Sequence, residues 1–251
     1  MIKLVYKHKI TEIFKSISGE SVKAGLPSIF VRLYGCNIRC SWCDSSYSCT
    51  DGNYNEMTNS EIIAKIEELL PVSHIIITGG EPLIDKNLSY LICDILENTN
   101  CTVEVETNGT YNIVDEIIRS NSFSMLPLSA SIHHLSRLTF TVDYKCPSSG
   151  VESSMKSYKE FAKDILELEK FTNVVVKFVV KDYIDLAAAH EVCKYLCVDG
   201  FKLSRGVYIS PVFGANLINL VDKICEDNVL CNCRFQLQLH KYIWNPEKRG
   251  V

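Results

Sequence analysis

The sequence has no long apolar run. Its first stretch, Met1–Ile10, is charged and broken up, and nothing later approaches the roughly 20 apolar residues of a membrane span. Neither a signal peptide nor a membrane anchor is expected, and a cytoplasmic protein is. A basic excess is also missing: the formal net charge is −4, which leaves no electrostatic case for a nucleic-acid partner. No low-complexity linker divides the chain and no internal repeat runs through it. With 251 residues, 47% hydrophobic and 22% charged, the composition is that of an ordinary globular protein, and one domain over 1–251 is expected.

A fourth clustered cysteine is missing too. Cys36, Cys40 and Cys43 stand in the run Cys36-Asn37-Ile38-Arg39-Cys40-Ser41-Trp42-Cys43, a C-x3-C-x2-C spacing followed at once by Asp44. Three thiolates can converge on one soft metal centre, but a closed zinc site or a fully ligated cluster takes four ligands. A 4Fe–4S cluster on three cysteines keeps one iron open, as enzymes that cleave S-adenosylmethionine (SAM) require. The spacing resembles the hallmark of the radical SAM superfamily. A zinc knuckle with a distant fourth ligand and a set of unrelated buried cysteines are the alternatives. Cys49 would close the open iron if it ligated, so the radical SAM reading expects that it does not.

Twelve cysteines in a chain without a secretion signal point to metal binding or plain packing rather than disulfides. Cys193 and Cys197 fall on one expected helix face and Cys231-x-Cys233 form a tight pair, so a second cluster is conceivable. Small buried hydrophobes are the simpler role for these four and for the remaining scattered cysteines.

Strand-like and helix-like segments alternate along the chain. Strands are expected at Ser28–Tyr34, His74–Thr78, Thr102–Thr107, Leu138–Asp143, Asn173–Val180 and Val207–Val212, with a late one at Phe235–Trp244. Amphipathic helices are expected at Ser60–Leu70, Asn87–Glu97, Val114–Ser120, Ser153–Lys170, Leu186–Leu196 and Asn216–Asp227. Such alternation predicts an α/β fold with a parallel sheet, curled into a partial (β/α)6 TIM-like barrel. In such folds chemistry gathers at the carboxyl ends of the strands. There the sequence places the cysteine loop, Gly79-Gly80-Glu81-Pro82, Glu106-Thr107, Asp143-Tyr144-Lys145, Lys181-Asp182 and Ser210-Pro211-Val212.

Gly79-Gly80-Glu81-Pro82 alone is a good turn; after a strand and downstream of the cysteine loop it matches the SAM-binding G-G-E-P signature, whose glycines let backbone approach a ligand. Arg32 lies inside an apolar strand, where a buried guanidinium needs a partner. A neighbouring protein carboxylate is one such partner, and the carboxylate of an anionic substrate, held in bidentate fashion, is the other. A lone His240 in an alternating segment reads first as a core residue, and His133-His134 reads as solvent-exposed loop.

With these motifs in hand, the chain resembles the 7-carboxy-7-deazaguanine synthase family of radical SAM enzymes. The likeness is carried by Glu12-Ile13-Phe14, Ser18-Gly19-Glu20, the run Gly25–Asn37, Trp42-Cys43-Asp44-Ser45, Ile77–Pro82, Glu104–Gly109, Asp143–Ser149 and the tail Gln238–Lys241 with Trp244 and Lys248–Val251. It implies a carbon–nitrogen lyase that contracts 6-carboxy-5,6,7,8-tetrahydropterin to 7-carboxy-7-deazaguanine, with SAM, one 4Fe–4S cluster and Mg2+. A reductant such as flavodoxin or ferredoxin and a homodimer are implied as well. Position by position, it implies Cys36, Cys40 and Cys43 on the cluster and Ser45 on magnesium. Arg32 and Glu20 are implied as catalytic. Gly80, Glu106, Asp143, Tyr144, Lys145 and Ser210 fall at or near SAM positions. Ile17, Ser18, Gly19, Arg32, Thr78, His240 and Val251 fall at substrate positions. The cluster loop spans 36–45, and the segment 234–251 is expected to close the pocket. Two positions depart from the family: Ser18 stands where a Gln is usual, and Ser45 where a Thr is. Activases of glycyl-radical enzymes and non-catalytic iron–sulfur or zinc proteins are the competing readings.

Overall fold

The computed structural model describes residues 5–50, 52–196, 203–245 and 248–251. Its strands are β1 (Lys7–Ile17), β2 (Pro27–Leu33), β3 (Asn55–Thr58), β4 (His74–Gly79), β5 (Thr102–Thr107), β6 (Leu138–Tyr144), β7 (Asn173–Val180), β8 (Val207–Pro211) and β9 (Arg234–Phe235). They form one sheet in the order β3-β1-β2-β4-β5-β6-β7-β8-β9. From β2 to β9 all neighbours are parallel, while β1 runs antiparallel to both β2 and β3. The helices are α1 (Asn59–Leu69), α2 (Leu88–Asn98), α3 (Asn121–Ser124), α4 (Leu128–Arg137), α5 (Tyr158–Leu168), α6 (Tyr183–Leu196), α7 (Leu217–Glu226) and α8 (His240–Ile243). The strand order of β2 and β4–β8 follows the chain without a reversal, which is the arrangement of a partial (β/α)6 barrel.

Period-2 alternation sorts the strands into two unlike faces. Ile75, Ile77, Val103, Val105, Phe140, Val142, Val176 and Phe178 point outward and are buried against the helices, with α1, α2, α5 and α6 contributing Ile62, Leu91, Phe161 and Val192. Each such side chain contributes roughly 1.5–3 kcal/mol on full burial. Many of the residues between them face inward and are polar: Arg32 on β2, Thr78 on β4, Glu106 on β5, Thr141 and Asp143 on β6, Lys177 on β7. Register sets them side by side, Arg32 opposite Thr78, Glu106 opposite Thr141 and Asp143 opposite Lys177. The helices hold the outer face dry, and the inner face is left for a ligand.

Four segments differ from the sequence expectation. The late strand is only Arg234–Phe235; after Gln236 N bonds Ile209 O at 3.0 Å, the chain leaves the sheet and Leu239 N docks on Gly19 O at 3.0 Å. His240 therefore lies on α8, not on a strand. β1 was hidden because it runs antiparallel to both its neighbours, pairs with β3 over Lys7–Ile10 and with β2 beyond, and a bulge between Ile10 and Glu12 breaks its alternation. His133 and His134 belong to helix α4, and His134 is buried at 5% exposure rather than facing solvent. Val114–Ile118 forms a single π-helical turn. The Thr58–Glu61 capping box before α1 is present, with Glu61 N on Thr58 Oγ1 at 3.3 Å and Thr58 N on Glu61 Oε2 at 2.7 Å.

Candidate active site

A cavity of about 250 Å³ opens at the carboxyl ends of the parallel strands. Cys36, Cys40 and Cys43 line one side of it, on the loop that leaves β2. That loop is braced from several directions: Gly35 N bonds Ser48 O at 2.7 Å, Ser41 N bonds Ser149 O at 2.9 Å, and Glu81 N bonds Gly35 O at 2.7 Å. The glycine turn after β4 is built against it. A Cβ on Gly80 would lie 2.0 Å from Gly35 O, and one on Gly79, where φ is +146°, would lie 2.2 Å from Leu33 O. Only glycine fits at either position. Glu81 is a strut: it accepts Thr107 Oγ1 at 2.7 Å and Asn108 N at 2.6 Å, tying the end of β4 to the end of β5.

The loop thiols are unlike one another. Hydrogen bonding from the Cys49 thiol, working against burial, pulls both Cys36 and Cys43 down to about 6. The same interactions raise Cys49 above the usual thiol range. Burial pushes Cys40 up to about 11, with Lys145 opposing it. Ser45 Oγ lies 3.8 Å from Cys43 Sγ and donates to Gly79 O at 3.4 Å, on the cavity wall.

Opposite the cysteines sits the polar floor. Arg32 donates from Nε to Glu12 Oε1 at 2.7 Å, between the rings of Phe14 and Tyr47. Glu20 accepts hydrogen bonds from Lys177 and Gln238. Burial alone would raise its carboxyl, but Lys177 and His240 hold it below the ordinary 4.5. Glu106, half-buried on the cavity wall, is pushed upward by burial with Lys177 opposing. Lys145 Nζ meets Asp143 Oδ2 at 2.7 Å and lies 5.6 Å from the Trp42 ring, which joins the end of β6 to the cysteine loop.

The carboxyl-terminal segment forms the remaining wall. Asp44 receives Lys241 Nζ at 3.1 Å and His240 Nε2 at 3.5 Å, so α8 is pinned to the cysteine loop. A Cβ on Gly19 would strike His240 Nδ1 at 2.2 Å, so that approach also needs glycine. Val251 lines the cavity, and Arg249 covers Tyr47 at 4.3 Å.

Of the residues singled out from sequence, Ile17, Gly19, Glu20, Arg32, Ser45, Thr78, Gly80, Glu106, Asp143, Lys145, His240 and Val251 line this cavity with the three cysteines. Three others do not line it. Ser18 is buried with Oγ on Glu20 O at 3.0 Å. The Tyr144 ring packs outward against Phe161 at 4.9 Å and its hydroxyl donates to Lys156 O at 3.2 Å, so only its backbone is available. Ser210 is fully buried, its Oγ without a partner among the described residues. Asp44, Lys177, Gln238 and Lys241 line the cavity without having been singled out. Lys177 carried the same signal as Arg32, a charge inside an apolar strand.

Cys193 Sγ lies 3.8 Å from Cys233 Sγ, Cys231 is exposed, and Cys197 lies outside the described residues. No three His, Cys, Asp or Glu side chains among the described residues converge on a single-ion site. Around one zinc, thiolates at about 2.3 Å from the metal crowd together, whereas around a cube of four irons they stand farther apart. The spread of Cys36, Cys40 and Cys43 around one cavity suits the cube. One hydroxyl at Ser45 suits a magnesium ion, which keeps most of its waters.

The model of the radical SAM superfamily matches residues 30–176. A 7-carboxy-7-deazaguanine synthase of Clostridium acetobutylicum is 36% identical over 249 residues, covering 97% of this chain and 99% of the relative. One from Koribacter versatilis is 32% identical over 260 residues, covering 97% and 100%. Among solved structures, QueE from Escherichia coli superposes with a TM-score of 0.64 at 22% identity, over 93% of this chain and 95% of that one, a likeness of fold.

Proposed function

Since this chain belongs to the radical SAM superfamily and, within it, to the family of 7-carboxy-7-deazaguanine synthases, we propose that its cavity contracts 6-carboxy-5,6,7,8-tetrahydropterin to 7-carboxy-7-deazaguanine with release of ammonia. The chain is a lyase of 7-deazapurine biosynthesis acting on a small molecule, with a 4Fe–4S cluster, SAM and Mg2+ as cofactors. The observation that carries the reading is the meeting of three loop thiols, a glycine-only turn and a half-buried arginine in one cavity of about 250 Å³.

When bound, the cluster and SAM supply the one-electron chemistry that removes a hydrogen atom from the substrate carbon bearing the carboxylate. The protein holds and shields. Cys36, Cys40 and Cys43 take the cluster. Gly80, Asp143, Lys145 and the backbone of Tyr144 receive SAM, with Glu106 and Ser210 nearby. Arg32, preset by Glu12, takes the substrate carboxylate, and Ser45 holds magnesium against the same group. Glu20, Thr78 and His240, with the backbones of Ile17, Ser18 and Gly19, receive the pterin ring. Val251 lies on the same wall, and the segment 234–251 is read as the part of a single domain that closes the pocket. No helix among the described residues is long and apolar enough to cross a membrane. A cytoplasmic homodimer, reduced by flavodoxin or ferredoxin, is carried from the family resemblance.

A glycyl-radical activase would need its cavity open to a partner protein, whereas α8 and the tail line this one. The two readings separate in an anaerobic incubation with SAM, reductant and Mg2+. The pterin should be consumed with no added protein, and 5′-deoxyadenosine should form only weakly in its absence. SAM cleavage that waits for a protein partner would overturn the assignment.

A further inference from the structure

Lys177 lies at no strand end and in no loop, yet it stands where the two halves of the cavity meet. Its neighbours Val176 and Phe178 are buried against the helices, so alternation turns Lys177 onto the inner face. There it pairs with Glu20 from the turn after β1 and stands 3.5 Å from Asp143 Oδ2 on β6. The same Oδ2 accepts Lys145 Nζ at 2.7 Å. Glu20, Lys177, Asp143 and Lys145 thus form one row of alternating charge across the cavity floor, and Lys177 is only 8% exposed. Asp143 Oδ1 and Gln238 Oε1, at the two sides of this row, are buried acceptors without a partner among the described residues.

Such a row is a poor way to stabilise a fold. Each buried ion costs several kcal/mol to desolvate, and apolar replacements of like volume are often neutral or better. Its position gives it another use. We propose that Lys177 is a positioning residue, the shared counterion that orients the Glu20 carboxylate toward the substrate and the Asp143 carboxylate toward SAM. The inference rests on reading the cavity as a joint site for SAM and the pterin.

The groups facing Lys177 make the consequence definite. They are Glu20 on the turn, Glu106 on β5, Asp143 and Lys145 on β6, and Tyr208 on β8, with Glu104 acting on Glu106 and His240 of α8 on Glu20. Without the ammonium, Glu20, Glu106 and Asp143 keep Lys145 and His240 as their nearest cationic partners and repel one another across the cavity. Their carboxyls then take up protons at higher pH, and both ligand sites lose orientation.

The test compares reconstituted wild type, Lys177→Met and Lys177→Arg at equal iron content. Lys177→Met should weaken SAM binding and raise the KM for the pterin, each by about fivefold or more. It should also move the acidic limb of the kcat/KM profile up by about one pH unit. Lys177→Arg should recover most of both losses. A loaded Lys177→Met protein with wild-type SAM affinity and pH profile overturns the proposal. Should Lys177→Met fail to fold, the charge-balanced pair Glu20→Gln with Lys177→Met decides: SAM must bind it more weakly than it binds Glu20→Gln alone, and equal affinity overturns the proposal. SAM affinity is read without turnover, so a wild type that ignores the pterin would sink the functional reading and still leave Lys177 judged.

Discussion

The Arg32 guanidinium enters the cavity already held, its Nε on Glu12 Oε1 at 2.7 Å while the Tyr47 hydroxyl meets the same oxygen at 2.7 Å. Glu12 satisfies one side of the fork. No hydrogen bond from the terminal nitrogens of Arg32 is found among the described residues, which leaves that edge for a ligand carboxylate. Arg32→Ala should therefore remove about 2–5 kcal/mol of binding to the reacting substrate, a loss of roughly 30-fold or more in kcat/KM. Iron content should not change. Glu12→Gln keeps the hydrogen bond and loses the charge, so its loss should be smaller. Steady-state kinetics with iron analysis check both, and normal kinetics for Arg32→Ala would remove the substrate assignment.

Cys49 lies outside the C-x3-C-x2-C run and is buried, its thiol donating to Ser45 O at 3.8 Å. It is therefore not expected among the cluster ligands. Cys40→Ala should fail to take up an intact cluster on anaerobic reconstitution. Cys49→Ala should take up a full four-iron cluster with its SAM-dependent spectroscopic change preserved. Electron paramagnetic resonance of the reduced proteins, with and without SAM, distinguishes them. Loss of the cluster in Cys49→Ala would mean that the open iron is closed by a fourth cysteine.

The pin between α8 and the cysteine loop is partly wet, since the Asp44 side chain is 43% exposed. Salt bridges of that kind contribute about 0.2–1 kcal/mol. Lys241→Met should raise the KM for the pterin by about two- to fivefold and leave iron content alone. High salt should shrink the difference between the two proteins. A variant that loses its cluster would show that the segment shapes the cysteine loop instead of closing over it.

The Glu20–Lys177 pair makes stability depend on acid. The folded-state value of Glu20 lies below its ordinary 4.5. Its contribution is therefore complete above 4.5 and is lost as pH falls through the lower folded value. At neutral pH, Glu20→Gln should cost up to about 3–5 kcal/mol, moderated because Asp143 still stands 3.5 Å from Lys177. As pH is lowered past 4.5, the denaturant midpoints of the two proteins should converge. A gap that is equally wide at acid and neutral pH would contradict this pairing.

The parallel strands were legible because runs such as Val174–Val176 are apolar on both sides of the pleat, as a doubly covered strand demands. The cysteine loop and the glycine turn were legible because their spacing follows from the geometry of what they hold. β1 was not, since it mixes charged with apolar residues and a bulge between Ile10 and Glu12 breaks its alternation. The tail was misread as a strand because Leu237 and Leu239 alternate, while docking on Gly19 bends the chain away after Phe235. Lys177 was overlooked inside a run read as plain core, although a buried charge in a strand is the same signal that had marked Arg32. Ser18 came from family likeness, and Tyr144 and Ser210 from likeness together with their place at strand ends; neither signal gives the direction of a side chain.

The most direct test is product formation by the reconstituted wild type under anaerobic, reducing conditions with Mg2+, 6-carboxy-5,6,7,8-tetrahydropterin and a limiting amount of SAM. Mass spectrometry should find 7-carboxy-7-deazaguanine and an equal amount of ammonia, in excess of the SAM supplied, because SAM is returned at each turnover. An enzyme with its cluster loaded and SAM bound that leaves the pterin unchanged would contradict the account.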